Sequence, residues 1–347
     1  MSDRLQRLLD DRPWLLADGA TGTSYFAAGL ETGDAPELWN LDHPERVSEL
    51  HNAFIAVGSD IVLTNTFGGS RYRLKLHKAE DRVAEINQAA ARLARQCADA
   101  SGREVVVAGS IGPTGEILVP IGPLTQDDAA DAFAEQARAL ADGGADVLWV
   151  ETMSSREELR AAVEGATRTG LPVVCTLSFD TNGHTMMGVT PAQVAQLMQQ
   201  MEPKPVAYGG NCGTGASELV TAILNMSEAA RPGDVLVAKS NCGIPEYVEG
   251  EIRYAGSPEL MADYARLCRD AGVRIIGGCC GTTPDHVAAM HRALSDHTPG
   301  AKPSLEDIVE RLGTVSAGAQ RLSENDGEGE PAGERGTGRR RGGRRRR

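Results

Sequence analysis

Residues 104–151 contain three runs that decide the fold: EVVVAGS (104–110), DAADAFAEQARALADG (128–143) and ADVLWVE (145–151). The outer two are short, apolar and rich in β-branched residues, as suits strands covered on both faces. The middle run spaces its apolar residues three and four apart, the pattern of an amphipathic helix, and Gly143 can end it. Strand, helix and strand in that order make a βαβ unit, whose two strands lie parallel.

The unit repeats in both directions. Strands are expected at 14–18, 60–64, 171–178, 205–211, 234–240 and 273–278 as well, with further helices over 45–57, 82–100 and 258–272. A doubly wound sheet usually closes after five or six strands, whereas eight alternating with helices predict an α/β fold of the (β/α)₈ TIM-barrel type. One domain, residues 1–298, accounts for them. A C-terminal extension over 299–322, with one short helix near 304–312, follows it. Residues 323–347 hold Gly, Glu and Arg but no Leu, Ile or Val. Such a tail buries too little to offset its ordering entropy and is expected to be disordered.

Composition narrows the function. The formal net charge is −13, yet residues 323–347 carry eight Arg against five acids, which leaves −16 on residues 1–322. A body that acidic is a poor polyanion binder, so nucleic acid is not an expected partner. No run of eighteen apolar residues occurs, and residues 1–13 are charged rather than apolar, so neither a membrane span nor a secretory signal is expected, and the location inferred is cytoplasmic. Seven cysteines, odd in number and unevenly spread, read as buried thiols plus a metal or reactive site.

Chemistry in such barrels sits on the loops at the C-terminal strand ends. Here those ends read DGATGT (18–23), TNTFGG (64–69), GSIGPTGE (109–116), ETM (151–153), GGNCGTG (209–215), KSNCG (239–243) and GGCCGTTPDH (277–286). Neighbouring residues on a strand face opposite ways, so Cys279 and Cys280 reach one ion only where the strand has ended and the chain turns; their flanking glycines meet that condition. With Cys212 they form a soft Cys₃ set suited to Zn²⁺, leaving one coordination position for substrate. The alternative is three small core residues or a vicinal redox pair. Cys242 is read as a neighbour of the set, and Cys97, Cys175 and Cys268 as core thiols.

Taken together, these motifs resemble the homocysteine S-methyltransferase family, most closely its bacterial betaine-homocysteine members, from about Leu15 to Leu294. The resemblance implies a zinc-dependent barrel whose metal-binding cysteines match Cys212, Cys279 and Cys280, and whose homocysteine-binding positions match Asp18, Gly19 and Glu151. It implies no catalytic side chain beyond these: the nucleophile is the substrate sulfur, made a thiolate by zinc, because a free thiol with a pKa of about 8.5 is mostly protonated at neutral pH. The partners implied are homocysteine and a small onium methyl donor. Glycine betaine leads, giving dimethylglycine and methionine, with dimethylsulfoniopropionate, S-methylmethionine and S-adenosylmethionine behind it.

Quaternary ammonium groups sit against aromatic faces, and the chain has 14 aromatic residues in all. Those near strand ends, Phe67, Trp39, Tyr25 and Phe26, are therefore the donor-site candidates. The chain departs from the animal betaine enzymes in two places: Gly68 stands where they carry an aromatic residue after the phenylalanine, and the Arg tail stands where they carry an arm that builds the oligomer. A homo-oligomer is left open. Two other functions compete. Lys239 at a strand end could form a Schiff base in a phosphate-binding lyase, and the tail GRRRGGRRRR (338–347) offers phosphate contacts to RNA or another polyanion.

Overall fold

The computed structural model describes residues 4–248 and 251–324. Eight parallel strands form the barrel: β1 Leu15–Leu16, β2 Ile61–Leu63, β3 Val106–Ile111, β4 Val147–Met153, β5 Val173–Leu177, β6 Ala207–Cys212, β7 Leu236–Ser240 and β10 Ile275–Gly278. Each pairs with the next in chain order, β10 taking the eighth place between β7 and β1. A bridge from Ala17 to Ile61 joins β1 to β2 and brings the ring round on itself. The fold is the (β/α)₈ barrel that the strand count predicts, and every predicted strand overlaps an observed one.

Strand alternation explains how it packs. Leu15, Ala17, Ile61, Leu63, Val106, Ala108, Val147, Trp149, Val174, Ala207, Val237 and Ile275 point inward and share one buried cluster. Their neighbours, among them Leu16, Val62, Val107, Leu148, Val173 and Ile276, point outward and pack under the helices. Both faces are apolar, which is why the strands read as continuous hydrophobic runs.

The structure adds elements that composition hides. Within the charged first residues, Arg4–Asp11 is a helix whose Leu5, Leu8 and Leu9 are buried in the inward-facing cluster and stopper the N-terminal end of the barrel. An antiparallel hairpin, β8 Pro245–Val248 and β9 Glu251–Tyr254, interrupts the connection after β7. The helix Gln126–Gly143 is capped one residue later than expected, by Gly144 at φ +104°. That left-handed turn costs a residue without Cβ little.

Beyond the barrel two helices, not one, follow: Leu305–Leu312 and Ala317–Glu324. They lie on the helix Ala216–Ala229, tied by Ser217 Oγ donating to the Thr314 carbonyl at 2.8 Å and Asn225 Nδ2 donating to the Leu322 carbonyl at 3.0 Å. The expectation of disorder from 323 therefore gives way at Ser323 and Glu324, and residues 325–347 lie outside the described residues. Among the described residues no helix is long and apolar enough to cross a membrane.

Candidate active site at the barrel mouth

The C-terminal strand ends surround a cavity of about 300 Å³, lined in part by Glu37, Phe67, Glu151 and the three cysteines 212, 279 and 280. Cys212 closes β6 with φ +57°, and Cys279 and Cys280 follow directly where β10 ends. Their Sγ atoms lie within 4.8 Å of one another, Cys212 standing 3.1 Å from Cys279 and 3.8 Å from Cys280. A metal ion could be held there.

Two asparagines that the sequence reading passed over hold these turns. Asn211 Oδ1 accepts from the Thr152 amide at 3.0 Å while its Nδ2 donates to Thr152 Oγ1 at 2.7 Å. Thr152 (φ 63°) and Cys212 are both left-handed, a strain of about 1–3 kcal/mol for a non-glycine residue that persists only where neighbours over-determine it. Asn241 Oδ1 accepts from the Cys280 amide at 3.0 Å, and its Nδ2 donates to the Gly213 carbonyl at 2.8 Å, so one side chain spans both cysteine turns. The available signal was the repeated NCG, at 211–213 and 241–243. Hydrogen bonds from Cys212 and Cys279, with Tyr254 of β9 adding another, hold the Cys280 thiol down at about 3, whereas Cys212 is pushed up by its hydrogen bonds to Cys279 and Cys280 and by burial.

Cys242 stands apart from the set. Its Sγ lies 2.9 Å from the Gly256 carbonyl and 3.0 Å from His286 Nε2. Cys97, Cys175 and Cys268 are buried in the outer core, away from the mouth.

Of the proposed homocysteine-binding positions, Glu151 and Gly19 line the cavity and Asp18 does not appear in its wall. Ser110 Oγ donates to Glu151 Oε1, and burial, then the nearby Cys279, pushes the Glu151 carboxyl up to about 7. Gly19 is confined: a Cβ there would stand 2.4 Å from the Thr282 carbonyl oxygen. Asp18 is buried beneath, Oδ1 taking Lys239 Nζ at 2.7 Å and Oδ2 the Leu63 amide at 2.7 Å. This ion pair accounts for Lys239, the candidate Schiff-base residue.

The aromatic candidates divide in the same way. Phe26 and Phe67 line the cavity. Trp39 is instead packed in a separate cluster with Tyr25, ring centroids 5.3 Å apart, and its face is taken by the Arg46 guanidinium at 5.0 Å. At 7% exposure, with Arg46, Tyr25 and His43 packed about its ring, Trp39 offers no open face to a ligand.

A parallel (β/α)₈ barrel with three convergent thiols and a buried carboxylate at its mouth defines the class of barrels with a candidate metal centre at the C-terminal strand ends. The sequence profile of the homocysteine S-methyltransferase family matches residues 15–294, and the chain belongs to that family. Methionine synthase of Mycobacterium tuberculosis (strain ATCC 25618 / H37Rv) is 32% identical over 328 residues, covering 89% of this chain and 27% of that protein. Methionine synthase of Mycobacterium leprae (strain TN) is 30% identical over 321 residues, covering 87% of this chain and 26% of that protein. The chain thus spans about a quarter of the length of these curated relatives. Among solved structures, the homocysteine methyltransferase MmuM from Escherichia coli is similar in its oxidized form with a TM-score of 0.69 at 26% identity, covering 84% of this chain and 99% of that one. Its metallated form gives a TM-score of 0.67 at the same identity and coverage.

Proposed function

We propose that this chain transfers a methyl group from an onium donor to the sulfur of homocysteine, giving methionine, with glycine betaine the first donor to test. The observation that carries the reading is the convergence of Cys212, Cys279 and Cys280 on an open cavity beside Glu151. Three thiolates around a tetrahedral zinc with Zn–S bonds of about 2.3 Å stand about 3.8 Å apart, close to the spacing found here, so the residues fit the metal. The metallated form of MmuM supports the same assignment. When bound, zinc supplies a Lewis acid that keeps an incoming thiol deprotonated at neutral pH while one coordination position stays free for it.

The chain's own residues do the rest. Glu151, fixed by Ser110, accepts charge-assisted hydrogen bonds from the substrate ammonium, which would hold its carboxyl in the ionised form. Asp18, paired with Lys239, supports that wall from beneath rather than touching substrate. In the transfer a sulfur lone pair forms the S–CH₃ bond as the N–CH₃ bond of betaine breaks. The released electron pair stays on the nitrogen of dimethylglycine. No proton is needed by the leaving group, so the barrel has to align donor and acceptor and exclude water.

The test is metal analysis together with methionine formation from homocysteine, with betaine, dimethylsulfoniopropionate, S-methylmethionine and S-adenosylmethionine in parallel. Stoichiometric zinc and turnover with one donor are expected. Cys279→Ala and Cys280→Ala should lose both while keeping the far-ultraviolet circular dichroism of the parent; normal turnover in either variant would remove the metal-site reading.

A further inference from the structure

Glu37 lies in the short turn Pro36–Leu38, is 6% exposed, and contributes to the wall of the same cavity as the three cysteines. It carries no sequence motif that marks it. Its Oε1 accepts from the Gly68 amide at 2.6 Å. A Cβ added to Gly68 would stand 2.8 Å from that oxygen, so the carboxylate occupies the space that a side chain at position 68 would claim.

A buried carboxylate is costly to leave without a counter-charge. Among the described residues no cation forms an ion pair with Glu37. Burial pushes its carboxyl up, which the Gly68 amide and the more distant Arg73 and His77 only partly offset. Phe26 and Phe67, 48% and 39% exposed, line the cavity with it. One acid and two partly exposed aromatic side chains on one cavity are the ingredients of a site for a soft, weakly hydrated cation. The other cavity acid, Glu151, has Ser110 as its partner and sits by the cysteines.

We propose that Glu37 is the specificity-determining residue of the donor subsite, its carboxylate taking the positive charge of the onium group while Phe26 and Phe67 cover the methyls. This rests on the methyl transfer proposed above. The two cavity acids then sort two cations, Glu151 the ammonium of the acceptor and Glu37 the onium of the donor. A donor site built this way selects charge rather than shape.

An isosteric pair reads that selection directly: choline and its neutral carbon analogue 3,3-dimethyl-1-butanol, both measured as inhibitors of methyl transfer and by calorimetry on the zinc-loaded enzyme. The parent should prefer the cation by about tenfold, and Glu37→Gln should bring the two within about twofold, because an amide keeps the size but not the charge. Homocysteine affinity, measured without donor, should stay within about twofold of the parent in the variant, since Glu151 is untouched. A purely structural role for Glu37 would instead weaken both inhibitors and homocysteine together. Undiminished preference in Glu37→Gln, or none in the parent, overturns the role of Glu37. An enzyme that forms no methionine from any onium donor overturns the underlying reaction.

Discussion

At the scale of single residues, the site mixes groups that motif position reveals with groups that only packing reveals. Cys212, Cys279 and Cys280 were legible because glycines mark the strand ends and adjacent thiols there have few other uses. Asp18 and Trp39 were placed near the mouth by the same logic, but position along a strand does not say which way a side chain faces, and one is sealed beneath Lys239 while the other is stacked in a side cluster. Glu37 was invisible because no local pattern links it to Gly68, 31 residues away. His51 shows a further consequence of burial. It is 2% exposed, its Nε2 has no hydrogen-bond partner, and burial holds its pKa at about 4 although Asp18 pulls the other way. Between about 4 and the unfolded value of about 6.5 the unfolded chain binds a proton that the folded chain refuses, so stability is complete above that window and falls as the pH drops through it. The loss should reach about 3 kcal/mol near pH 4, seen as a falling urea midpoint in metal-free protein, and His51→Leu should flatten that part of the curve.

Elements were legible in proportion to how strongly burial shapes their sequences. The barrel strands are covered on both faces and announce themselves as apolar runs; the hairpin β8–β9 falls outside that repeat and was not expected. The helix Arg4–Asp11 does have leucines at helical spacing, at 5, 8 and 9, but four charged residues among its eight mask them. The C-terminal pair of helices makes the clearest case for testing. Ile308, Leu312, Val315 and Ala319 are buried in the main core cluster, and Arg311 reaches Asp263 at 2.8 Å. Three of these are branched aliphatics worth about 1.5–3 kcal/mol each when fully buried, so ending the chain at residue 303 should cost roughly 5 kcal/mol and lower Tm by about 10 °C or more. Ending it at residue 324 removes only the Gly/Glu/Arg tail and should leave both Tm and methionine formation as they are. Scanning calorimetry of the two truncations checks this, and a tail needed for turnover would reverse the second expectation.

For the molecule as a whole, the architecture divides labour between a stable body and a strained rim. The inward-facing and outward-facing clusters contain none of Cys212, Cys279 and Cys280, so the apolar core closes without them and the barrel is expected to stay folded when any ion they hold is removed. Removing metal with a chelator should therefore abolish methionine formation while leaving far-ultraviolet circular dichroism unchanged, with activity returning on addition of zinc; unfolding on chelation would show the rim to be structural. The overall plan was readable because eight repeats of one unit leave few ways to pack. What the repeats could not convey is how the far end is sealed. With Leu5, Leu8 and Leu9 wedged into it and Trp149 filling the interior above, the barrel is a blind well rather than a tunnel. Everything that enters must come and go by one doorway, so for the proposed transfer the reactant seated deepest is expected to arrive first and its product to depart last, an order that product-inhibition kinetics would read.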